Sequence, residues 1–119
     1  MTPQRRDTRD PQDLLPLTPV VLHILLVLSH GERHGYAIAQ EVEGDTGGQL
    51  RIGPGTLYGS IQRMQRAGLL EETDRHDADD PRRRYYRATP FGRRVLALEL
   101  ERVTDVVRVA RDRRVLRRT

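Results

Sequence analysis

The sequence contains no cysteine, no tryptophan and no lysine, and these absences narrow what the chain can be. Without cysteine it has neither disulfide bonds nor thiolate ligands for a metal, and such a composition suits a reducing compartment. Aromatic residues make up only 4% of the chain, which fits a small helical domain better than a β-sandwich. At 119 residues the chain is long enough for one domain with a single core.

The chain also lacks a long hydrophobic run and the motifs of an enzyme. Its first 13 residues are too polar for a signal peptide, and the apolar run at residues 20–28 is far shorter than the roughly 20 residues that span a bilayer. It has no glycine-rich phosphate loop and no pattern of nucleophile and base. His30 and His34 are separated by Gly31, so no metal site is expected. We therefore expect a soluble, cytoplasmic protein that is not an enzyme, needs no cofactor and does not bind membranes.

Basic charge is carried by arginine alone. The 21 basic residues outnumber the 17 acidic ones and give a formal net charge of +4, which is compatible with nucleic-acid binding without requiring it. A codon bias toward arginine is the favoured explanation for the absence of lysine, and selection for guanidinium groups is the alternative. The placement of the arginines is more informative, because they concentrate in a predicted hairpin and in the last predicted helix.

The first part of the chain predicts an arm followed by two helices. Residues 1–13 show no hydrophobic periodicity and are expected to form a flexible N-terminal arm. Thr18-Pro19 starts the first helix, because a threonine hydroxyl caps free N–H groups and proline fits the first helical position. A second, shorter helix closes near Gly44. Three leucines are expected to pack the end of the arm onto the core: Leu14, Leu15 and Leu17.

A third helix with one apolar and one polar side is predicted next. It opens at residues 53–56, with Gly55 or Thr56 near its cap, and Gly68 ends it. Helical spacing turns three apolar side chains inward: Leu57, Ile61 and Met64. The polar side carries Thr56, Gly59, Gln62, Arg63 and Arg66, with Tyr58 at the border.

A hairpin rich in arginine follows the third helix. We expect strands at residues 70–73 and 84–88, with Arg84 and Tyr86 on one face of the second strand, and a polar, turn-rich loop between them. A helix that fits the major groove, beside a cationic ribbon, is the arrangement with which winged-helix proteins bind DNA. Because the loop is acidic, either its tip points away from DNA or its aspartates pair with Arg75 and Arg82. These aspartates are Asp77, Asp79 and Asp80.

The last helix is predicted to start at Thr89-Pro90 and to extend to about Arg114. Apolar residues recur along it in steps of four, three, four and three, as in a coiled-coil seam. The seam consists of Leu96, Leu100, Val103, Val107 and Ala110. One long helix cannot cover this seam by itself, so a second copy of the chain is the simplest partner. The alternative is that the helix folds back on the first helix, and we favour the homodimer.

Four motifs, in order, resemble those of the PadR family of transcriptional regulators. They are Glu-Arg-His-Gly-Tyr-Ala-Ile at residues 32–38, Gly-Thr-Leu-Tyr at 55–58, Ala-Gly-Leu-Leu-Glu at 67–71 and Arg-Arg-Tyr-Tyr-Arg-Ala-Thr-Pro-Phe-Gly at 83–92. The resemblance implies a mainly α fold with a small β-hairpin. A winged helix–turn–helix DNA-binding domain would occupy residues 14–89, and a long C-terminal dimerisation helix residues 90–119.

The same resemblance implies a function. Members of the family are dimeric, usually repressing regulators that bind double-stranded DNA, and many release it when a small-molecule effector binds near the dimer interface. For this chain we therefore expect a duplex DNA partner, a homodimer and an effector of the kind that many relatives bind. The alternative is a winged-helix module that binds protein without DNA, which would more often expose large apolar side chains on the third helix.

The predicted DNA contacts lie on the third helix and the hairpin. Phosphates are expected to be contacted by three hydroxyls and three guanidinium groups: Thr56, Tyr58, Ser60, Arg82, Arg83 and Arg84. Base edges are expected to be read by Thr56, Gln62 and Arg63, and Gly59 allows a close approach. The alternative is that Tyr58 packs against the first hairpin strand and that the arginines form a solvated surface.

Overall fold

The computed structural model describes residues 9–117, a range that holds four α-helices, one 3₁₀ helix and three short strands. In chain order these are the 3₁₀ helix η1 (Pro11–Leu14), α1 (Pro19–Leu28), β1 (Arg33–His34), α2 (Gly35–Asp45), α3 (Pro54–Arg66), β2 (Leu70–Glu72), β3 (Tyr85–Ala88) and α4 (Pro90–Asp112). The predicted mainly helical fold with a small sheet is confirmed. None of these helices is long and apolar enough to cross a membrane.

Threonine caps followed by proline start two of the helices, as predicted. The N–H of Val21 donates to Thr18 Oγ1 at the start of α1 (3.3 Å), and the N–H of Gly92 donates to Thr89 Oγ1 at the start of α4 (2.9 Å). Helix α3 differs from the prediction, because its cap is Gly53 and no side chain accepts a hydrogen bond there. Proline takes the first helical position in α3, which moves the cap to the residue before it.

The sheet has one more strand than the sequence predicts. Strand β1 pairs antiparallel with β3, and β3 pairs antiparallel with β2, so that the order is β1-β3-β2. A strand of two residues is too short to show the alternation by which strands are recognised in a sequence. As the central strand, β3 is covered on both faces: Tyr86 packs in the core, and Tyr85 meets His34 edge-on. Both tyrosines are buried, and β3 begins one residue after Arg84.

The core lies where α1, α2 and α3 meet the sheet and the first turns of α4. Helix α1 is apolar around most of its circumference because it contacts α2, α3, α4 and β3. The three side chains of α3 that were predicted to face inward are buried: Leu57, Ile61 and Met64. Their burial fixes the rotation of α3, so that its polar side faces outward.

The N-terminal segment packs against α4. Residues 11–13, predicted to belong to the flexible arm, are part of η1, because Asp10 caps this turn by accepting the N–H of Gln12 (2.9 Å). The predicted leucines pack on the core: Leu14, Leu15 and Leu17. Glu99 of α4 is 1% exposed and accepts the N–H of Leu17 (2.7 Å), which fastens the segment to the helix. Residues 1–8 of the arm lie outside the described residues.

Helix α4 changes from a core helix to a surface helix along its length, and it ends two residues before the predicted Arg114. Near its start, a Cβ atom on Gly92 would lie 2.0 Å from the carbonyl oxygen of Leu69. Only glycine therefore allows α4 to pass this close to the residue that precedes β2.

Replacing Gly92 with alanine is expected to lower the free energy of unfolding by about 2 kcal/mol or more, because the added methyl group overlaps backbone atoms that cannot rotate away. Helix propensity alone favours alanine by about 1 kcal/mol, so the sign of the change reports the clash. Urea unfolding followed by circular dichroism measures it. Gly44→Ala in α2 is the matched control, since a Cβ there has open space, and it is expected to stabilise the protein. A Gly92→Ala variant as stable as the control contradicts the contact.

Candidate nucleic-acid interface

The start of α3 presents free N–H groups at the surface. The first turn of a helix leaves N–H groups without partners inside the helix. In α3 they belong to Gly55 and Thr56, because Pro54 has no N–H and the N–H of Leu57 donates to the Gly53 carbonyl (2.9 Å). Gly55 and Thr56 are exposed, so the positive end of the helix dipole faces solvent.

The outward side of α3 is polar, with one correction to the prediction. Thr56, Gln62 and Arg63 are exposed, as is Arg66 in the last turn. Ser60 is only 2% exposed, so the prediction that its hydroxyl contacts phosphate is wrong. Ser60 lies three residues after Leu57 and four before Met64, which places it on the buried side of the helix. Its hydroxyl accepts a hydrogen bond from Arg63 Nη2 (3.2 Å), which draws that guanidinium toward the start of α3.

Tyr58 lies across the beginning of α2. A Cβ atom on Gly35 would lie 2.6 Å from the Tyr58 hydroxyl oxygen, so the ring rests on backbone that only glycine leaves open. The ring therefore packs on α2, while 47% of the residue stays exposed. The Tyr58 ring thus contacts the neighbouring helix α2, and this contact holds its hydroxyl at the edge of the polar surface.

His34 has a structural role that the sequence does not predict. Its Nδ1 accepts the N–H of Ala37 and caps α2 (3.2 Å), and its ring meets Tyr85 edge-on with centroids 5.4 Å apart. Burial, together with the positive charge of Arg83, lowers the pKa of His34 below its ordinary value. Histidine is not one of the residues that normally mark a helix start, so the sequence carried no signal for this role. The neighbouring Tyr36 is 63% exposed and adds a second tyrosine to the surface.

The arginines of the hairpin are paired differently from the prediction. Arg83 lies between Asp77 (3.1 Å) and Asp80 (3.8 Å), and Arg84 lies beside Glu72 (3.3 Å). Of the two expected alternatives, the one in which the loop aspartates pair with the side chains of Arg75 and Arg82 is therefore not found within residues 9–117. A turn at residues 80–83, closed by a hydrogen bond from the Arg83 N–H to the Asp80 carbonyl (3.1 Å), brings Arg83 back beside these carboxylates.

The other two arginines of this group have different surroundings. Arg75 approaches Glu32 (3.7 Å), and its guanidinium carbon lies 4.2 Å from the centroid of the Tyr85 ring. Arg82 is exposed and makes no ion pair within residues 9–117. The backbone N–H of Arg82 donates to Asp80 Oδ1 (3.1 Å). This hydrogen bond belongs to the turn, and the turn alone orients the guanidinium group.

Helix α3 and the hairpin border a common open cleft of about 740 Å³. Five of the predicted contact residues line it: Tyr58, Gln62, Arg82, Arg83 and Arg84. Thr56, Gly59 and Arg63 lie on α3 outside this lining. In residues 9–117 no three His, Cys, Asp or Glu side chains come together as a metal site would require. The cleft and the start of α3 thus form a polar surface with cationic and hydroxyl groups, and Glu72 and Asp80 add carboxylates to the cleft.

Comparison with known proteins identifies the family. The profile of the transcriptional regulator PadR-like family matches residues 24–98, which is more than half of the chain. The chain belongs to the PadR family of transcriptional regulators. The resemblance predicted from the four motifs is confirmed, and with it the expectation that the protein belongs with regulators and not with enzymes.

Individual relatives support this assignment. Transcriptional regulator Rv3488 of Mycobacterium tuberculosis is 37% identical over 89 residues, which cover 75% of this PadR-family chain and 79% of the relative. A transcriptional regulator from Clostridium thermocellum has a TM-score of 0.66 at 27% identity, over 78% of this chain and 87% of that chain. RosR of H. salinarum has a TM-score of 0.63 at 28% identity, over 87% and 100% of the two chains. A complex structure of RosR has a TM-score of 0.68 at 29% identity, over 81% of this chain and 79% of that chain.

The His34 cap makes the stability of this PadR-family protein depend on pH. Because the pKa of His34 is lowered from 6.5 in the folded state, its stabilising contribution is complete above pH 6.5 and is lost as the pH falls through the folded-state pKa. His34→Asn keeps a capping acceptor that does not titrate, so it is expected to remove this part of the pH dependence. Urea midpoints at about pH 7.5 and about pH 5.5 measure it. His76→Asn, in the exposed loop, should keep the wild-type dependence, and an unchanged dependence in His34→Asn contradicts the cap.

Proposed function

We propose that this PadR-family protein is a dimeric, sequence-specific DNA-binding regulator, and that it represses transcription until a small molecule releases it from DNA. The observation that carries the proposal is the arrangement of α3, whose free N–H groups and polar side face outward beside an arginine-bearing hairpin. In this proposal α3 is the recognition helix, the hairpin is the wing and α4 is the dimerisation helix.

Phosphate contacts are assigned to groups at the edge of the polar surface. The N–H groups of Gly55 and Thr56 and the positive end of the α3 dipole favour an anion. The hydroxyls of Thr56 and Tyr58 supply further hydrogen bonds, and Arg82 supplies a charge that makes no ion pair within residues 9–117. Arg83 and Arg84 would also contact phosphates once they leave their carboxylate partners. Such contacts set the orientation of the protein on a duplex without reading its sequence.

Base reading is assigned to the exposed side of α3. Thr56 lies in the first turn of α3, the part of a recognition helix that reaches base edges, and Gln62 and Arg63 follow in its third turn with their side chains also exposed. Arginine forms a bidentate pair with guanine and glutamine forms one with adenine, each worth about 1–3 kcal/mol of discrimination. Gly59 adds no side chain between them, which lets the helix approach the groove closely.

The polar character of α3 favours DNA over a protein partner. Protein interfaces are depleted in charged residues at their centres and enriched in large apolar or aromatic ones. The exposed positions of α3 instead carry Thr56, Gln62, Gln65 and two arginines, and Tyr58 is the one large exposed aromatic residue of the helix. A winged-helix module that binds only protein would more often expose large apolar side chains at these positions, whereas arginine alone does not separate the two kinds of partner.

The DNA contacts are tested with the purified protein and a pool of random duplexes. Selection is expected to recover a two-fold symmetric sequence, because a dimer presents two equal recognition helices. On that sequence Gln62→Ala should cost about 1–3 kcal/mol and should leave binding to random duplexes nearly unchanged. Arg82→Ala should weaken binding to both by a similar factor and flatten the salt dependence by about one unit for each lost contact.

Fluorescence anisotropy with labelled duplexes measures these changes over a range of salt concentrations. Arg108→Ala is the control, because Arg108 is an exposed arginine of α4 away from the proposed interface. If no duplex is retained at low ionic strength, DNA binding is excluded. Equal losses for Gln62→Ala on selected and random duplexes would exclude base reading by α3.

The proposed dimer contact is based on how burial decreases along α4. Val95 is fully buried, whereas Leu100, Val106 and Val109 are 37%, 56% and 42% exposed. The later seam residues Val103, Val107 and Ala110 are half-buried. Leu96, the first residue of the predicted seam, is only 7% exposed because it packs in the core of its own protomer. We therefore infer that the contact begins at Leu100, and that a second copy covers the apolar surface from there onward.

Aspartate at Val106 is expected to convert the dimer to a monomer, because it places a charge in an apolar contact. Sedimentation velocity measures the mass. Thr104→Asp is the matched control, since it adds the same charge to an exposed site about 200° around the helix from Val106. A Val106→Asp variant with the mass of the wild-type dimer contradicts the contact, as does a Thr104→Asp variant that dissociates as readily.

Repression and release by an effector rest on the family resemblance. A dimer reads two half-sites whose centres lie about 34 Å apart along the duplex, so its affinity depends on the distance between its two recognition helices. A molecule that alters the packing of α4 against its partner would change that distance and release DNA.

A further inference from the structure

The proposed wing carries its own counterions. Within the described residues, three of its arginines are paired with carboxylates of the same hairpin: Arg83 with Asp77 and Asp80, Arg84 with Glu72, and Arg87 with Glu71. Arg83 has two carboxylates and its side chain is 43% exposed, against 70% for Arg84. Arg83 is thus the wing cation whose charge is most completely matched by the protein.

The backbone holds the two carboxylates in place. Asp77 accepts the N–H of Asp79 (3.0 Å) and lies 3.4 Å from the Tyr85 hydroxyl, whose ring is covered by Arg75. The hydrogen bond from Asp79, together with Arg83, lowers the pKa of Asp77, so this group is ionised at neutral pH. Asp80 accepts the N–H of Arg82 and belongs to the turn that positions Arg83. Each carboxylate is thus held beside Arg83 by a hydrogen bond from the loop backbone.

We propose that Asp77 and Asp80 form an autoinhibitory contact on the wing, in which they compete with DNA phosphates for Arg83. The inference rests on the proposed function, because it requires that the wing approach a duplex. If Asp77 and Asp80 compete in this way, the wing binds the DNA backbone more weakly than its arginine content suggests, and Arg82 is its main cationic contact.

The physical reason lies in the release of counterions. An arginine that binds a phosphate displaces cations condensed on DNA, and this release makes binding strong at low salt. When the arginine leaves a protein carboxylate to do so, the carboxylate stays tethered beside the phosphate and the two negative charges repel each other. This autoinhibitory contact, which we call the clasp, therefore opposes each phosphate contact that Arg83 would make, on any DNA sequence.

Replacing both aspartates with asparagine tests the clasp. Asparagine keeps the hydrogen bonds that Asp77 and Asp80 accept from the backbone but removes the charge, so the loop is expected to keep its shape. Affinity for a random duplex should rise, and the salt dependence should become steeper by about two units for a dimer, one for each released Arg83. Between about 50 and 200 mM salt, the affinity should then fall by about tenfold more than that of the wild type.

The matched control is Asp74→Asn/Asp79→Asn, which makes the same change of charge at two exposed aspartates of the same loop that do not contact Arg83. A steeper salt dependence in Asp77→Asn/Asp80→Asn than in this control supports the clasp. The same two asparagines in an Arg83→Met background should give no gain beyond the control. Thermal melting of each variant reports whether the fold is retained.

Three results would overturn the inference, and the first two leave the proposed function intact. If wild type binds duplexes and the two double variants behave alike, the clasp does not restrain Arg83 and DNA binding stands. If the gain persists in the Arg83→Met background, the aspartates act through the general field of the loop and the contact is again rejected. If neither wild type nor any variant binds a duplex at low ionic strength, DNA binding fails and the inference fails with it.

Discussion

The close approach of α4 to the residue before β2 is the constraint on which the other parts of the molecule depend. Gly92 has no room for a side chain beside the Leu69 carbonyl, and the N–H of Thr89 donates to the same oxygen (3.1 Å). The Thr89 hydroxyl donates to the carbonyl of Gly68, which lies two residues after the end of α3. The end of α3, the start of the hairpin and the start of α4 are therefore joined at one point. In the proposed dimer, this joint sets how α4 orients the recognition helix toward DNA.

Charge on the proposed DNA surface is distributed unevenly between α3 and the hairpin. The arginines of α3 have no carboxylate partner in residues 9–117, whereas most hairpin arginines are paired within the hairpin. A hairpin of this kind adds little to the nonspecific attraction that a polyanion exerts on a basic protein. Under the proposed function, most of the affinity for DNA would then come from α3 and from the groups at its start. A surface built this way favours discrimination over general adhesion to DNA.

The features that the sequence predicted well are those that short-range interactions determine. The Thr-Pro caps, the glycine that ends α3 and the inward side of α3 depend on residues within one or two turns. The features that were missed depend on contacts between distant segments. His34 joins β3 through a strand of two residues, and Arg83 meets Asp77 only because a turn reverses the chain between them. Ser60 was misplaced because its hydroxyl suggested an exposed role, although its spacing from Leu57 and Met64 places it inside.

The division of α4 into a buried and an exposed half separates folding from association in the proposed dimer. The first half belongs to the core of its own protomer through Val95 and Leu96, and Glu99 fastens the N-terminal segment to it. Glu99 is buried with its charge, and this is tolerated because it accepts the N–H of Leu17 and pairs with Arg102. A protomer therefore has a complete core before it meets a partner. The exposed half of α4 then contributes to association alone, so that changes there would alter the dimer without unfolding the DNA-binding domain.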